Sequence, residues 1–319
     1  MRIGLDVSGG DFAPTSTLHG ALLVHKELPK SDRLVLIGDK ELILPFLKEE
    51  NVNPDLFDIV DAPDQIEMGE SPTKALMAKP NSSIAVGFRM LKHKEIHSFA
   101  SAGSSGAMMV GAIYSVNTIQ GVIRPSTPAY IPKENGGSAL LIDVGTNPDS
   151  KPDVMYQFGL LGSLFAEHVM HVKNPRIGLL NIGTEEKKGN LITQSAFQLM
   201  KETKDYRFIG NVEGRDLFRD RVDVIVCDGF VGNIVLKQVE AMYRVLVKRG
   251  IKDDYLDRFN YEKYGGSPIL GVNSNVIVGH GISNGKAIRR MLLLSREIHQ
   301  ARLPQKIKQA FEKYAINHF

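Results

Sequence analysis

Six short segments rich in Gly, Asn and Ser carry the residues best suited to gripping an anion. They are Ser8-Gly9-Gly10-Asp11, Ser101-Ala102-Gly103-Ser104-Ser105-Gly106, Asp143-Val144-Gly145-Thr146-Asn147, the stretch from Asn181 to Asn190, Asp228-Gly229-Phe230-Val231-Gly232-Asn233, and Gly279-His280-Gly281-Ile282-Ser283-Asn284. A single such turn means little, because glycine is the default residue of tight turns. Six of them, each following a β-rich run, predict a cleft lined by backbone N–H groups.

Ser101–Gly106 leads directly into the helical run Ala107-Met108-Met109-Val110. Amides at a helix N-terminus, with the Ser104 and Ser105 hydroxyls beside them, make an anion site. The same pattern also suits a close-packed turn in which serine caps the helix. Lys188, within Glu186-Lys187-Lys188-Gly189-Asn190, is the candidate cation for a phosphate oxygen, since an ammonium is a compact point charge. Lys187 reads better as part of a solvated loop. Gly279–Gly285 imitates a dinucleotide fingerprint, but its G-x-G-x-x-x-G spacing is one residue too long, and too little chain follows for the later strand and ribose-binding acid. The Gly285-Lys286 end of that stretch lacks the first glycine of a phosphate loop, because His280 stands in its place.

His93 and His97 are spaced to share the face of an expected helix, and so are His168 and His171. Lys94 breaks the H-E-x-x-H pattern, and both pairs read as surface histidines. No carboxylate or imidazole cluster calls for a metal, and no metal or cofactor is expected. Cys227 ends the apolar run Val222–Val226 and reads as a packed core thiol. The chemistry is therefore expected to use a nucleophile that the substrate supplies.

The elements that must position these residues alternate along the chain. Strands are predicted at Arg2–Val7, Arg33–Ile37, Phe57–Val60, Ser98–Ser101, Ala139–Asp143, Arg176–Ile182, Val222–Cys227 and Asn275–Val278. Helices are predicted at Thr15–Glu27, Lys40–Lys48, Ser105–Val116, Val154–Val172, Leu191–Lys201, Asn233–Lys248 and Asn284–Gln300. Such alternation implies a three-layer α/β fold, a mainly parallel sheet with helices on both faces. Ligands of such sheets bind outside the carboxyl ends of the strands, which is where the six turns fall. No repeat, low-complexity tract or linker divides the chain, and residues 1–319 read as a single two-lobed domain.

Composition excludes several classes. Thirty-nine basic against 36 acidic side chains leave a net charge of +3, too mild a balance to argue for a nucleic-acid partner. The single cysteine excludes an intramolecular disulfide and fits a reducing compartment. Asp6 comes too early for a signal peptide, and no apolar run approaches the roughly 18 residues of a membrane span. The expected address is the cytoplasm.

Taken in order, these turns resemble the acyl-carrier-protein:phosphate acyltransferase (PlsX) family of bacterial phospholipid synthesis. The resemblance runs from Leu5–Pro14 through Ser101-Ala102-Gly103, Arg124-Pro125, Asp143-Val144-Gly145 with Lys151-Pro152, Asn174–Asn190, Phe208–Glu213 and Cys227–Phe230 to Tyr264-Gly265-Gly266 and the Gly-His-Gly turn at Gly279–Gly281. Phe12 stands where the family usually has histidine, and Ser104-Ser105 replaces the usual Asn-Thr. The stretch between Lys237 and Tyr264, which corresponds to a projecting helical hairpin, is shorter than usual.

The resemblance implies an isocitrate/isopropylmalate dehydrogenase-like fold and a homodimer. It implies that a long-chain acyl-[acyl carrier protein] reacts with inorganic phosphate to give acyl phosphate and free carrier, so the partners are the carrier, its fatty acyl chain and phosphate. Ser101, Gly103, Ser104, Ser105 and Gly106 would hold the phosphate, with Lys188 adding charge. Asn211, Asn233 or His280 would donate to the carbonyl oxygen or leaving sulfur. Asp6, Gly9, Gly10, Asp11, Asp143, Asn147, Asn181 and Asp228 would line the cleft, with Asp143 and Asp228 orienting loops and Lys188. The hairpin implies peripheral membrane contact at the inner face. On Asn233–Lys248 the residues Ile234, Leu236, Val239, Met242, Tyr243 and Leu246 suit that role, and equally a core or dimer helix. An acidic carrier calls for a basic surface, for which Arg289, Arg290, Arg296 and Arg302 are candidates, a solvated face being the alternative. The competing functions are a phosphotransacetylase acting on short acyl-coenzyme A, a nicotinamide-dependent decarboxylating dehydrogenase, disfavoured by the incomplete dinucleotide pattern, and a non-catalytic scaffold that binds acyl carrier protein.

Overall fold

Short β-branched runs bounded by polar turns, such as Val224-Ile225-Val226, are too brief for helices and form buried central strands. The structure, a computed structural model, describes residues 1–318, with side chains through Ala315. In chain order its elements are β1 (Arg2–Asp6), α1 (Thr15–His25), β2 (Arg33–Gly38), α2 (Lys40–Glu49), β3 (Asp58–Asp61), α3 (Pro72–Ala78), α4 (Ser83–Lys92), β4 (Ser98–Ser101), α5 (Ser105–Val116), β5 (Pro128–Pro132), β6 (Ser138–Ile142), α6 (Pro152–His168), β7 (Arg176–Leu180), α7 (Leu191–Lys201), β8 (Arg207–Val212), β9 (Val224–Val226), α8 (Gly229–Lys248), β10 (Ser267–Pro268), β11 (Asn275–Val278), α9 (Gly285–Gln300) and α10 (Leu303–His318).

The chain divides into two units, Met1–Thr118 with Tyr261–Gln300 and Ile119–Asn260 with Ala301–Phe319. The first unit holds a sheet in the order β10-β11-β4-β1-β2-β3. All its pairings are parallel except β10 with β11. On one face, Val35, Ile37, Phe99 and Val276 pack with Ile84, Phe88, Met108 and Ala112 of α4 and α5. On the other face lie α1 and α9, which pack against each other and bury Leu18, Val24, Ile288 and Leu292.

The second unit holds the order β5-β6-β9-β7-β8, again parallel except for β5 with β6. Helix α6 is buried along nearly its whole length against β6 and β9, while Ile131, Leu141, Val212 and Ile225 form a core with Leu217 and Cys227 on the opposite side. The strands are thus shared between two mainly parallel sheets flanked by helices. Helix α8 is different, since only Gly229 and Gly232 are buried on it. It is not a core helix of its unit, and Ile234, Met242, Val245 and Val247 are exposed.

Several expected boundaries move for local reasons. Asp228 caps α8 by accepting from the Val231 amide at 2.8 Å, so the turn's last residues are already helical. Helix α4 stops at Lys92, and Lys94 has φ 60°, which puts His97 at the mouth of β4 and not on a helix with His93. His168 is the last residue of α6 and His171 lies beyond it with φ 58°, so this pair does not share a helical face either.

At the amino ends of the second sheet, Asp223 binds Lys133 at 2.7 Å and Arg176 at 2.8 Å. Burial alone would raise its pKa, but the hydrogen bonds from Arg176 and Lys133 outweigh burial and hold the carboxyl well below the usual range. A depressed carboxyl stabilises the fold above its unfolded pKa of about 3.9 and loses that contribution as pH falls towards the folded value. Removing one partner of such a pair costs about 3–5 kcal/mol. Asp223→Ala should therefore lower the unfolding free energy by that amount at pH 7, with the gap to wild type narrowing below about pH 4, as read by urea titrations across pH. A pH-independent gap would contradict the assignment.

Candidate functional site

In the first unit the neighbouring strands β1, β4 and β11 deliver three of the six turns to one edge of the sheet. Asp6, fully buried, ends β1. It accepts from the Ser101 hydroxyl at 2.6 Å and from the Ser8 amide at 3.0 Å. Burial pushes the Asp6 carboxyl up, against the lowering effect of these bonds. Ser101 Oγ in turn accepts from the Gly103 amide at 2.9 Å, and the Ser101 carbonyl accepts from Gly279 at 2.8 Å. Gly9 closes against this knot, where a β-carbon would lie 2.3 Å from the Asp6 carboxylate and 2.7 Å from the Gly103 nitrogen. The Asp11 amide donates to the Gly281 carbonyl at 2.8 Å, tying the β1 turn to the β11 turn.

Asp6, Gly9, Gly10, Asp11, Ser101, Gly103, Ser104, Ser105, Gly106 and His280 are therefore gathered in one unit. Their individual roles differ from the sequence expectation. Ser101 is fully buried and bonded to Asp6 and Gly103, so it braces the turn and presents no hydroxyl to a ligand. Ser104, 4% exposed, caps α5 through the Ala107 amide at 3.3 Å. Ser105 stands exposed at the first position of α5 and Gly106 follows it half-buried, at the end of the helix where amides precede any i−4 carbonyl. His280 is half-buried, with its ring centroid 5.5 Å from that of Tyr261. The Tyr261 hydroxyl holds the same loop through the Ile282 carbonyl at 2.9 Å.

In the second unit β6, β9, β7 and β8 run parallel and bring the other turns to their carboxyl edge. Asp143 is fully buried beyond β6. One of its oxygens accepts from Ser126 Oγ and the Thr127 amide, both at 3.1 Å, and from the Val144 amide at 2.9 Å. The other accepts from the Asn147 amide at 2.6 Å and from Asn147 Nδ2 at 3.1 Å. Asp143 thus orients loops, and its oxygens are too fully engaged to meet a ligand. Gly232 is required beside it, because a β-carbon there would lie 1.8 Å from the Asp143 carbonyl oxygen. Ser126 and Thr127 were not singled out in the sequence, and their only signal is the Arg124-Pro125 motif immediately before them.

Asn211, 1% exposed, donates to the Glu185 carbonyl at 2.9 Å and accepts from Asn181 at 3.1 Å. Asn181 also donates to the Lys188 carbonyl at 3.1 Å. These two amides fix the β7–α7 loop, and a buried, bonded Asn211 is not placed to donate to a substrate oxygen. They leave Lys188 exposed, its ammonium without a hydrogen-bond or ion-pair partner among the described residues. Asn233 is half-buried on the first turns of α8, its amide facing Gly145.

Two further expectations are resolved by pairing and burial. Arg289 is bound to Glu27, Arg290 to Glu297 at 2.8 Å and Arg296 to Asp32 at 2.8 Å, so three of the four arginines proposed for docking are neutralised. The Cys227 thiol is buried and points to the Asp143 carbonyl at 3.5 Å. Burial first, then the Asp228 and Asp143 charges, push it well above the usual thiol range. Among the described residues no group of three or more His, Cys, Asp or Glu side chains could hold a metal ion, and no helix is long and apolar enough to cross a membrane.

Residues 1–306 match the family model described as "Fatty acid synthesis protein". A phosphate acyltransferase of Heliobacterium modesticaldum is 42% identical, with 93% of each chain covered. One of Endomicrobium trichonymphae is 38% identical, with 98% of each chain covered. The chain belongs to the phosphate acyltransferase family. Its fold is also that of a phosphotransacetylase from Streptococcus pyogenes, at TM-score 0.65 and 14% identity over 94% of each chain. The phosphate acyltransferase family is one of enzymes that act on an acyl group and phosphate, and this chain carries no exposed thiol with which to form a covalent acyl intermediate. Iodoacetamide should accordingly leave the native protein unmodified at pH 8 and add to Cys227 once urea unfolds the chain, as read by intact mass. Alkylation of the native protein would contradict the burial of the thiol.

Proposed function

We propose that this protein transfers a long-chain acyl group from acyl carrier protein to inorganic phosphate, releasing acyl phosphate and free carrier. The observation that carries this reading is the end-to-end likeness to relatives named phosphate acyltransferase. The side chains support its mechanism. Cys227 is buried and the Ser101 and Ser104 hydroxyls are engaged, which supports phosphate as the nucleophile. Near neutral pH it is already anionic and needs no protein base. A phosphate oxygen bonds to the thioester carbon, the C–S bond breaks, and the proton carried by hydrogen phosphate ends on the departing sulfur.

The protein's part is positioning and charge stabilisation. Gly103, Ser105, Gly106 and the first-turn amides of α5 receive the phosphate, a neutral cradle that does not over-stabilise the ground state. Lys188 contributes the positive charge. Asn233 and His280, each half-buried, are the donors for the carbonyl oxygen and the sulfur. In the same reading the protein works in the cytoplasm as a homodimer, and the exposed apolar residues of α8 support a peripheral contact with the membrane.

Purified protein given phosphate with palmitoyl-[acyl carrier protein], palmitoyl-coenzyme A or acetyl-coenzyme A should yield acyl phosphate best from the carrier donor. Product from the acetyl donor alone would make it a phosphotransacetylase, and none from any donor would make it a scaffold. Lys188→Ala should lower turnover roughly 10²–10³-fold, the scale of one lost oxyanion donor, with an unchanged unfolding midpoint. Turnover equal to wild type would remove Lys188 from the mechanism.

A further inference from the structure

Helix α8 and the loop at Gly145–Pro148 border a groove of about 520 Å³ in the second unit, within the range of small-molecule sites. Phe230, Asn233, Ile234 and Lys237 line it from one face of the helix, at positions i, i+3, i+4 and i+7. The stripe has an order. Phe230 and Ile234 are large apolar side chains left 63% and 55% exposed. At the inner end the Asn233 carboxamide lies 3.0 Å from where a β-carbon on Gly145 would sit. One helical turn further out, about 6 Å along the axis, Lys237 is exposed and has no hydrogen-bond or ion-pair partner among the described residues. Gln238 adds a second amide beside it.

A ligand matching this groove is polar and neutral at its inner end, apolar against the wall, amide-bearing further out and anionic where Lys237 stands. A plain hydrocarbon chain does not match, because it would desolvate Lys237 and Gln238 and return no hydrogen bond. We propose that the groove receives the phosphopantetheine arm of the thioester donor. The thioester lies at Asn233, the apolar part of the arm against Phe230 and Ile234, and the phosphate at Lys237. This inference rests on the acyltransferase reading and adds to it the residues that recognise the donor. The arm is common to coenzyme A and to a carrier protein, so Lys237 acts on what the two donors share.

Calorimetric titration of 4′-phosphopantetheine into the full-length protein reads the groove without turnover. Lys237→Gln should weaken binding roughly tenfold, the scale of one charge-assisted hydrogen bond, and Lys237→Arg should restore it. Absent binding, or equal binding by wild type and Lys237→Gln, overturns the proposal. In steady state Lys237→Gln should raise KM for acyl-phosphopantetheine, acyl-coenzyme A and acyl-[acyl carrier protein] alike while kcat is retained, and leave KM for acyl-pantetheine, which lacks the phosphate, unchanged. An effect confined to the carrier donor would put Lys237 against the carrier's own surface and sink the arm assignment. A wild-type protein that binds 4′-phosphopantetheine through Lys237 yet makes no acyl phosphate would defeat the activity reading and leave the groove assignment standing.

Discussion

Each unit of this protein hangs its functional edge on one buried carboxylate at the end of a strand. Asp6 at the end of β1 and Asp143 beyond β6 are both fully buried, and neither is paired with a cation among the described residues. A carboxylate in that position is costly unless hydrogen bonds replace its water. The replacements come from the turns themselves, Ser8 and Ser101 around Asp6, and Ser126, Thr127, Val144 and Asn147 around Asp143. The arrangement converts desolvation cost into loop order. Turns rich in glycine would otherwise sample many conformations, and their amides would be poor hosts for an anion that must be held in one orientation.

The same constraint keeps two nucleophilic side chains of these turns, Ser101 and Cys227, out of reach. Ser101 and Cys227 lie directly beneath the turns, one bonded to Asp6 and the other directed at the Asp143 carbonyl. Their polar atoms complete the scaffold. What remains at the edges is chiefly main-chain amide, the exposed hydroxyl of Ser105, half-buried Asn233 and His280, and the ammonium of Lys188, which has no partner among the described residues. That inventory suits a reaction whose nucleophile arrives with its own charge. The groove beside Asn233 is where the donor's arm is proposed to lie.

The order of the turns was legible in the sequence because glycine, asparagine and serine cluster where strands end, and most central strands and long helices were legible from their apolar runs. The division into two sheets was not, since which strands pair depends on crossovers that leave no local mark. Edge strands β5 and β8 escaped for physical reasons. Pro128 and Pro132 bracket the first, as befits an edge, and the second opens on an exposed arginine. Residue roles were harder still. Ser105 and Ser101 look alike in sequence, yet one faces solvent and the other answers a carboxylate 95 positions away. Asn211 and Asn233 differ in the same way, and the partners of Ser126 and Thr127 lie across a strand pair. Arg289, Arg290 and Arg296 read as free charge only because Glu27, Glu297 and Asp32 could not be seen to meet them.

At the centre of the account is direct attack by phosphate on the thioester, with no acyl group resting on the protein. Initial rates measured over a grid of phosphate and acyl-donor concentrations test this most directly. Intersecting double-reciprocal lines, with no mass increase on protein mixed with donor alone, are the predicted result. Parallel lines accompanied by a donor-derived acyl adduct would contradict it.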